Sequence, residues 1–451
     1  MTMSTLERTT FKTSRELEFC TRKELTIQTG QQAESWPLVV LKELVDNALD
    51  AAEEAGVLPQ ISVSVTDGAI VVQDNGPDIP IRTVKALLDF STRVSSREAY
   101  VSPTRGAQGN ALKTILAMPF VLDGTAGRVE IAAQGVNHAI TFTVDLVRQT
   151  PVIEHSRTIS PVKKGSRIRV HWPDSARSIL TRAKDRFLQI ANGYTWLNPH
   201  LDLTVEWGGK HQHSRPSVSA WEKWIPSYPT SAHWYDQQGL ERLIAAYVNY
   251  DRGRAPRTVR EFISEFRGLS ATAKQAAVLD KVGLVRAPLA SLCTDGFDKS
   301  KIADLLEAMQ AASKPVKPKQ LGVIGKDHLA RLMAQHGAEM DSFDYSRTFD
   351  STDDGLPCVV EFAFAWCPKA KERRLVTGVN RSPSISNPFR QLGSYGISLD
   401  TILSQQRADR DDPVIVVLHV ACPHVEYTDR GKSAIAIAGK DESDDLQEAA
   451  E

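Results

Sequence analysis

Glu43, Asp46, Asn47 and Asp50 stand at i, i+3, i+4 and i+7 in "ELVDNALDAAEEAG", a spacing that stacks them on one stripe of a helix. Oxygen-bearing side chains this close repel one another unless a cation joins them or water separates them, and a hard divalent ion takes such ligands. Val40, Leu41, Leu44, Val45 and Ala48 supply the apolar face beside the stripe. Downstream, "DNGPDIP" places Asp74 and Gly76 at the end of a β-branched run. In "RGAQGN", Gly106 and Gly109 precede an apolar helix whose first backbone N–H groups lack partners, which suits a phosphate. Taken singly, each feature has an ordinary reading: a solvated face, a turn, a loop before a helix.

The elements that must position these residues follow from periodicity. "QISVSVTDGAIVVQDNG" is two strands joined at Asp67-Gly68, and "RTVKALLDF" resumes helical spacing. From Ser91 to Gly109 the apolar pattern lapses, predicting a long mobile loop. Strands follow in "GRVEIAAQ", "HAITFTVDLV" and "GSRIRVHW". "ERLIAAYVNY", "TVREFISEFRGLS", "ATAKQAAVLDKVG" and "KIADLLEAMQAAS" are helical, and "SKPVKPKQLG" is a linker. Beyond it, "PCVVEFAFAWC", "RRLVTGVN" and "PVIVVLHVAC" are strands, mixed with helical "KDHLARLMAQHG" and "LDTILSQ". The expectation is an α+β chain of three domains: 1–235, 236–312 and 313–451, the last ending in an acidic tail.

A hydrophobic share of 41% with 24% charged residues is that of a soluble protein with real cores. The net charge of −1 excludes a global basic field, so any nucleic-acid surface is local. Arg252 to Arg260 ("RGRAPRTVR") and Lys314, Lys317 and Lys319 are basic clusters that either follow a DNA backbone or are solvated loops. Cys20, Cys293, Cys358, Cys367 and Cys422 are scattered without a CxxC pair, which fits a reducing interior and buried thiols. No membrane-length apolar run or leader is visible, so a soluble cytoplasmic protein is expected.

The order of these motifs resembles the N-box, first glycine box, lid and second glycine box of the GHKL (Bergerat-fold) ATPases. That resemblance implies ATP and Mg²⁺, with Glu43 as general base and Asn47 as the metal ligand. It implies that Asp74 accepts the adenine amino group, helped by Ser166, with Gly76 and Ile79 beside the base. Gly106, Ala107, Gln108, Gly109 and Asn110 would cradle the phosphates, with Ala111, Leu112 and Lys113 opening the helix. Asp78 and Ala111 stand where the family usually has glycine, which bears on turnover rate more than on binding. Asp46 and Asp50 are expected to orient neighbours or cap the pocket, and Glu53 and Glu54 to be solvated.

Across nearly the whole chain, "ELVDNALDAAEEAGVLPQISV", "RGAQGNALK", "WLNPHLDLTV", "PVKPKQLGVIGKDHL", "TGVNRSP" and "LHVACPHVEYTDRGKSAIA" resemble the B subunits of DNA topoisomerase VI. The resemblance implies a Bergerat-fold ATPase sandwich, a helix–two-turns–helix domain and a transducer whose Lys432 reaches the γ-phosphate. It implies an ATP-dependent homodimer closed by N-terminal arms ("TTFKTSRELEFCTRKELTIQ") around double-stranded DNA without sequence preference, acting on nucleoid DNA. A separate toprim/winged-helix subunit would cut the DNA, because no cleavage chemistry is visible here. The family's long helix after the transducer strands is replaced by a short acidic stretch. The expectation is therefore either a docking element supplied elsewhere or a stand-alone nucleotide-switched DNA-binding or accessory protein without topoisomerase activity.

Overall fold

Alternation of apolar and polar residues builds the first sheet. In β1 (Gln60–Thr66), Ile61, Val63 and Val65 face a core while Ser62 is exposed. Asp67 and Gly68, both with positive φ, close the expected hairpin to β2 (Ala69–Asp74). The computed structural model of the chain describes residues 19–90, 99–105, 111–145, 147, 150–294, 296–352, 354–390, 397–425, 427 and 435. β3 (Gly127–Ala133), β4 (Val136–Asp145), β5 (Thr150–Ile159), β6 (Ser166–His171), β7 (Asp202–Trp207) and β8 (Lys210–Ser214) complete this sheet. Its order is β5-β4-β3-β6-β2-β1-β7-β8. β1 and β7 pair in parallel, and the other neighbours pair antiparallel.

Helices cover the apolar face of the sheet: α1 (Arg22–Thr29), α2 (Trp36–Glu54), α3 (Ile81–Leu87), α4 (Ala111–Asp123), α5 (Arg177–Arg182) and α6 (Lys184–Leu197). α2 starts with buried Trp36 and Pro37, a position where proline's missing N–H costs no helical bond. Val40, Leu41, Leu44, Val45 and Leu49 bury its apolar stripe against the sheet.

A second core is helical, formed by α7 (Gln237–Tyr250), α8 (Val259–Ser264), α9 (Thr272–Val282) and α10 (Lys299–Ala312). Side chains cap three of these helices: Asp236 accepts from Gly239 N, Thr258 and Glu261 form a capping box, and Asp298 accepts from Lys301 N. Trp224 and Trp234, ahead of α7, belong to the same core.

The last part holds α11 (Lys326–Gln335), β9 (Asp344–Ser351), β10 (Pro357–Trp366), β11 (Arg374–Val379), β12 (Ser382–Pro383), α12 (Leu399–Gln405) and β13 (Val414–Ala421). The five strands are ordered β12-β11-β13-β10-β9. Every residue of β13 is buried, because both faces of the strand are covered. Val414, Val416, Leu418 and Val420 pack with α12, while Ile415 and Val417 pack with Leu329 and Met333 of α11. Trp196 and Leu197, at the end of α6, join that second face, so the helical layer of the first sheet runs on into the core of the second.

Two features depart from the sequence expectation. β5 and β9 carry no clean apolar alternation because they are edge strands whose residues are mostly exposed. Within the stretch expected to be a mobile loop, residues 99–105 are tied down. Val101 N donates to Tyr235 Oη at 2.9 Å, and its carbonyl accepts from Thr230 Oγ1 at 2.8 Å. Tyr100 and Val101 also pack on the helical core, which gives this polar segment an anchor. Residues 91–98 and 106–109 of that stretch lie outside the described residues.

Candidate nucleotide-binding site

Asp74 ends β2 with its carboxylate turned back on the chain. Oδ1 accepts from Gly76 N at 2.8 Å and from Ser166 N at 3.4 Å. Ser166 Oγ in turn accepts from Ile79 N at 3.1 Å. β2, the turn after it and the start of β6 are thus bound into one unit. Gly165, with φ of +75°, makes that approach possible, since a Cβ there would collide with the Asp74 carbonyl oxygen. Oδ2 of Asp74 accepts no hydrogen bond from the described residues. Burial pushes the carboxyl up to about 6; the two backbone donors oppose this and the charge of Asp78 adds to it. A desolvated carboxylate with one open oxygen is an acceptor awaiting a donor such as an exocyclic amine. Asp78 Oδ1 is itself buried with no partner among the described residues.

The carboxylate stripe of α2 separates into three fates. Glu43 is half-buried, and Asn47, one turn on, is exposed, its side chain making no hydrogen bond with the described residues. An amide oxygen in that position suits Mg²⁺, which is commonly held by one or two protein oxygens together with substrate phosphates and water. Asp46 turns inward: it is 2% exposed and accepts from Lys42 Nζ at 2.7 Å, Tyr194 Oη at 2.8 Å and Ser382 Oγ at 2.7 Å. Asp50 is bound by Arg105 Nη1 at 2.7 Å, and burial raises its carboxyl more than Arg105 lowers it.

Glu53 is a correction, because it is buried rather than solvated. Arg105 grips both of its oxygens at 2.8 and 2.9 Å, His200 Nε2 lies 2.8 Å from Oε1, and Lys223 bridges to Oε2. Burial alone would raise this carboxyl, but Arg105, Lys223 and the His200 hydrogen bond hold it well below the usual range. Its partners come from remote parts of the chain. The available signal was that Glu53 follows Asp46 by seven residues and Asp50 by three, and so continues their stripe. Glu54 is exposed as expected.

α4 begins at Ala111, and Leu112 of that helix packs on the first core. Lys113 is buried, its Nζ donating to the Asp89 carbonyl at 2.6 Å, and burial lowers its pKa. The structure therefore brings Asp74, Gly76, Ile79 and Ser166 together, with Glu43 and Asn47 on α2. Gly106, Ala107, Gln108, Gly109, Asn110 and Lys432 lie outside the described residues.

A mixed sheet covered by helices on one face, with the acid/amide helix packed on it, is the α+β sandwich of the Bergerat (GHKL) fold. Residues 33–176, which span α2 to β6, match the family described as histidine kinase-, DNA gyrase B-, and HSP90-like ATPase. Among type 2 DNA topoisomerase 6 B subunits, the one from Archaeoglobus fulgidus is 24% identical over 424 residues, covering 88% of this chain and 66% of the relative. That of Methanosarcina mazei is 24% identical over 437 residues, covering 88% and 65%. That of Natronomonas pharaonis is 32% identical over 151 residues, 31% of this chain and 18% of the relative. Over most of its length, then, the chain is similar to the topoisomerase VI B subunits. The longest of these alignments span 66% and 65% of the relatives' own length, just short of two thirds.

Proposed function

We propose that this chain binds ATP with Mg²⁺ and hydrolyses it as the ATPase subunit of a topoisomerase VI-like system. It acts as an ATP-gated homodimeric clamp on double-stranded DNA in the cytoplasm, driving topology change with a separate cleaving subunit. The observation that carries the reading is the Asp74 carboxylate, bound through one oxygen by Gly76 and Ser166 and open at the other, within the matched ATPase domain. In this reading Asp74 holds the adenine amino group, with Gly76 and Ile79 beside the base. Asn47 supplies an oxygen to Mg²⁺, which would neutralise phosphate charge. Glu43 takes a proton from the attacking water. Gly106 to Asn110, with Ala111, Leu112 and Lys113, line the phosphates, and Lys432 reaches the γ-phosphate. The three domains, 1–235, 236–312 and 313–451, are then the ATPase, the helix–two-turns–helix and the transducer units. Among the described residues no helix is long and apolar enough to cross a membrane.

ATP turnover and sedimentation of the full chain, each with and without duplex DNA, test the proposal. Glu43→Ala should abolish turnover while keeping a non-hydrolysable analogue bound, and Asn47→Ala should abolish analogue-induced dimerisation. A wild-type chain that binds no analogue, or a Glu43→Ala variant that turns over normally, would overturn it.

A further inference from the structure

The turn between β11 and β12 has an unusual backbone. Asn380 and Arg381 both have positive φ, +49° and +65°, the geometry of a tight hairpin turn that favours glycine or asparagine. Arginine is costly there, and such strain persists only where surrounding contacts over-determine it. They do so here. Arg381 is buried; its N–H donates to His419 Nε2 at 3.0 Å and its Nη1 to the Leu321 carbonyl at 3.3 Å. Its carbonyl accepts from Asn198 Nδ2 at 2.9 Å, and Asn198 Oδ1 accepts from Arg105 at 2.5 Å.

What this turn presents is Ser382. Its Oγ lies 2.7 Å from both oxygens of Asp46 and also accepts from Lys42. Tyr194 Oη closes the cluster, donating to Asp46 with the Lys42 carbonyl 3.0 Å away. Pro383 then packs on α6 so closely that a Cβ on Gly193 would come within 3.0 Å of it. α2 is thus pinned at two points. Asp46 is held directly by the hairpin, while Glu53 and Asp50 are held through Arg105 and Asn198, which lead back to the same turn. Asp46 sits on the helix between Glu43 and Asn47, and one rigid helical turn carries all three.

We propose that Ser382, the first residue of β12 after the β11–β12 turn, is a positioning residue for nucleotide turnover. Through Asp46 it holds Glu43 and Asn47 in register, and through the same bond it couples the five-stranded sheet to the ATP site by a route separate from Lys432. The inference rests on the nucleotide-binding reading above. It adds a hydroxyl–carboxylate joint between residues 336 positions apart, neither of which touches nucleotide in that reading.

Removing the hydroxyl should shift α2 slightly without emptying the pocket. In the full chain, Ser382→Ala should lower kcat about 10-fold or more while the Kd of a non-hydrolysable ATP analogue changes less than about 3-fold, because small misplacements act on reaction geometry before they act on binding. Ser382→Thr, which keeps the hydroxyl, should recover most of that loss. Asp46→Asn should lower kcat comparably, and its combination with Ser382→Ala should cost little more than either alone; Asp46→Asn also carries the test if Ser382→Ala does not fold. A Ser382→Ala kcat within about 2-fold of wild type, or a fall only in proportion to the unfolded fraction, would overturn the inference and leave the ATPase reading standing. A wild-type chain that neither binds nor hydrolyses ATP would remove both.

Discussion

Asp74, at the end of β2, and Glu53, on α2, are both carboxylates withdrawn from water, yet their surroundings drive them in opposite directions. Asp74 receives two backbone N–H groups on one oxygen and nothing from the described residues on the other, and it is pushed up to about 6. Glu53 receives Arg105, His200 and Lys223 and is held well below its ordinary value. Burial alone therefore does not distinguish an open acceptor from a structural joint. What distinguishes them is whether the charge has already been answered by the protein: an answered charge rigidifies, whereas an unanswered one awaits a donor.

The largest effect should come from breaking the answered site. Glu53→Ala leaves Lys223 buried without its counter-charge and Arg105 with Asp50 alone, and should cost about 3–5 kcal/mol of stability in denaturant titrations. Asp74→Asn should do something different in kind. Analogue affinity should fall about 100-fold, near 2.7 kcal/mol, when followed by calorimetry, while the ligand-free protein should be more stable than wild type at pH 7.

The pH dependence sharpens the contrast at a smaller scale. The folded pKa of Asp74, about 6, lies above its ordinary 3.8, so the folded state holds the proton more tightly. Its contribution to stability is full below pH 4 and is lost as pH rises towards 6, by about 3 kcal/mol. Glu53 acts with the opposite sign. Its lowered pKa stabilises the fold above pH 4.5 and that stability is lost as acid protonates it. Thermal melts between pH 4 and 7 should show the first slope in wild type and a flattened one in Asp74→Asn. The smallest effect is the control: Glu54→Ala, at the exposed neighbour of Glu53, should stay within about 0.5 kcal/mol of wild type.

The pattern of local spacing explains which of these features were readable beforehand. α2, the Asp67-Gly68 hairpin and the Asp74 turn follow from short-range periodicity and turn chemistry, and the contacts of Gly76, Ile79 and Ser166 with Asp74 and with one another assemble around that turn. The reading failed where burial depends on distant partners. Glu53 looked solvated because Arg105, His200 and Lys223 are far from it in sequence, and the 99–105 segment looked mobile because Thr230 and Tyr235 hold it. Edge strands β5 and β9 escaped notice for the opposite reason, being too exposed to carry an apolar pattern.

The Asp46–Ser382 pair has a consequence for how the chain is made. Its two members lie 336 residues apart, so at ordinary synthesis rates Asp46 waits on the order of 20–60 s for its partner to emerge from the ribosome. The first sheet and its helices can gather around their own core during that interval, with Lys42 and Tyr194 already at hand for the carboxylate. Closure of the joint has to wait for the β11–β12 hairpin, and α2 acquires its final register only when that later part of the chain arrives.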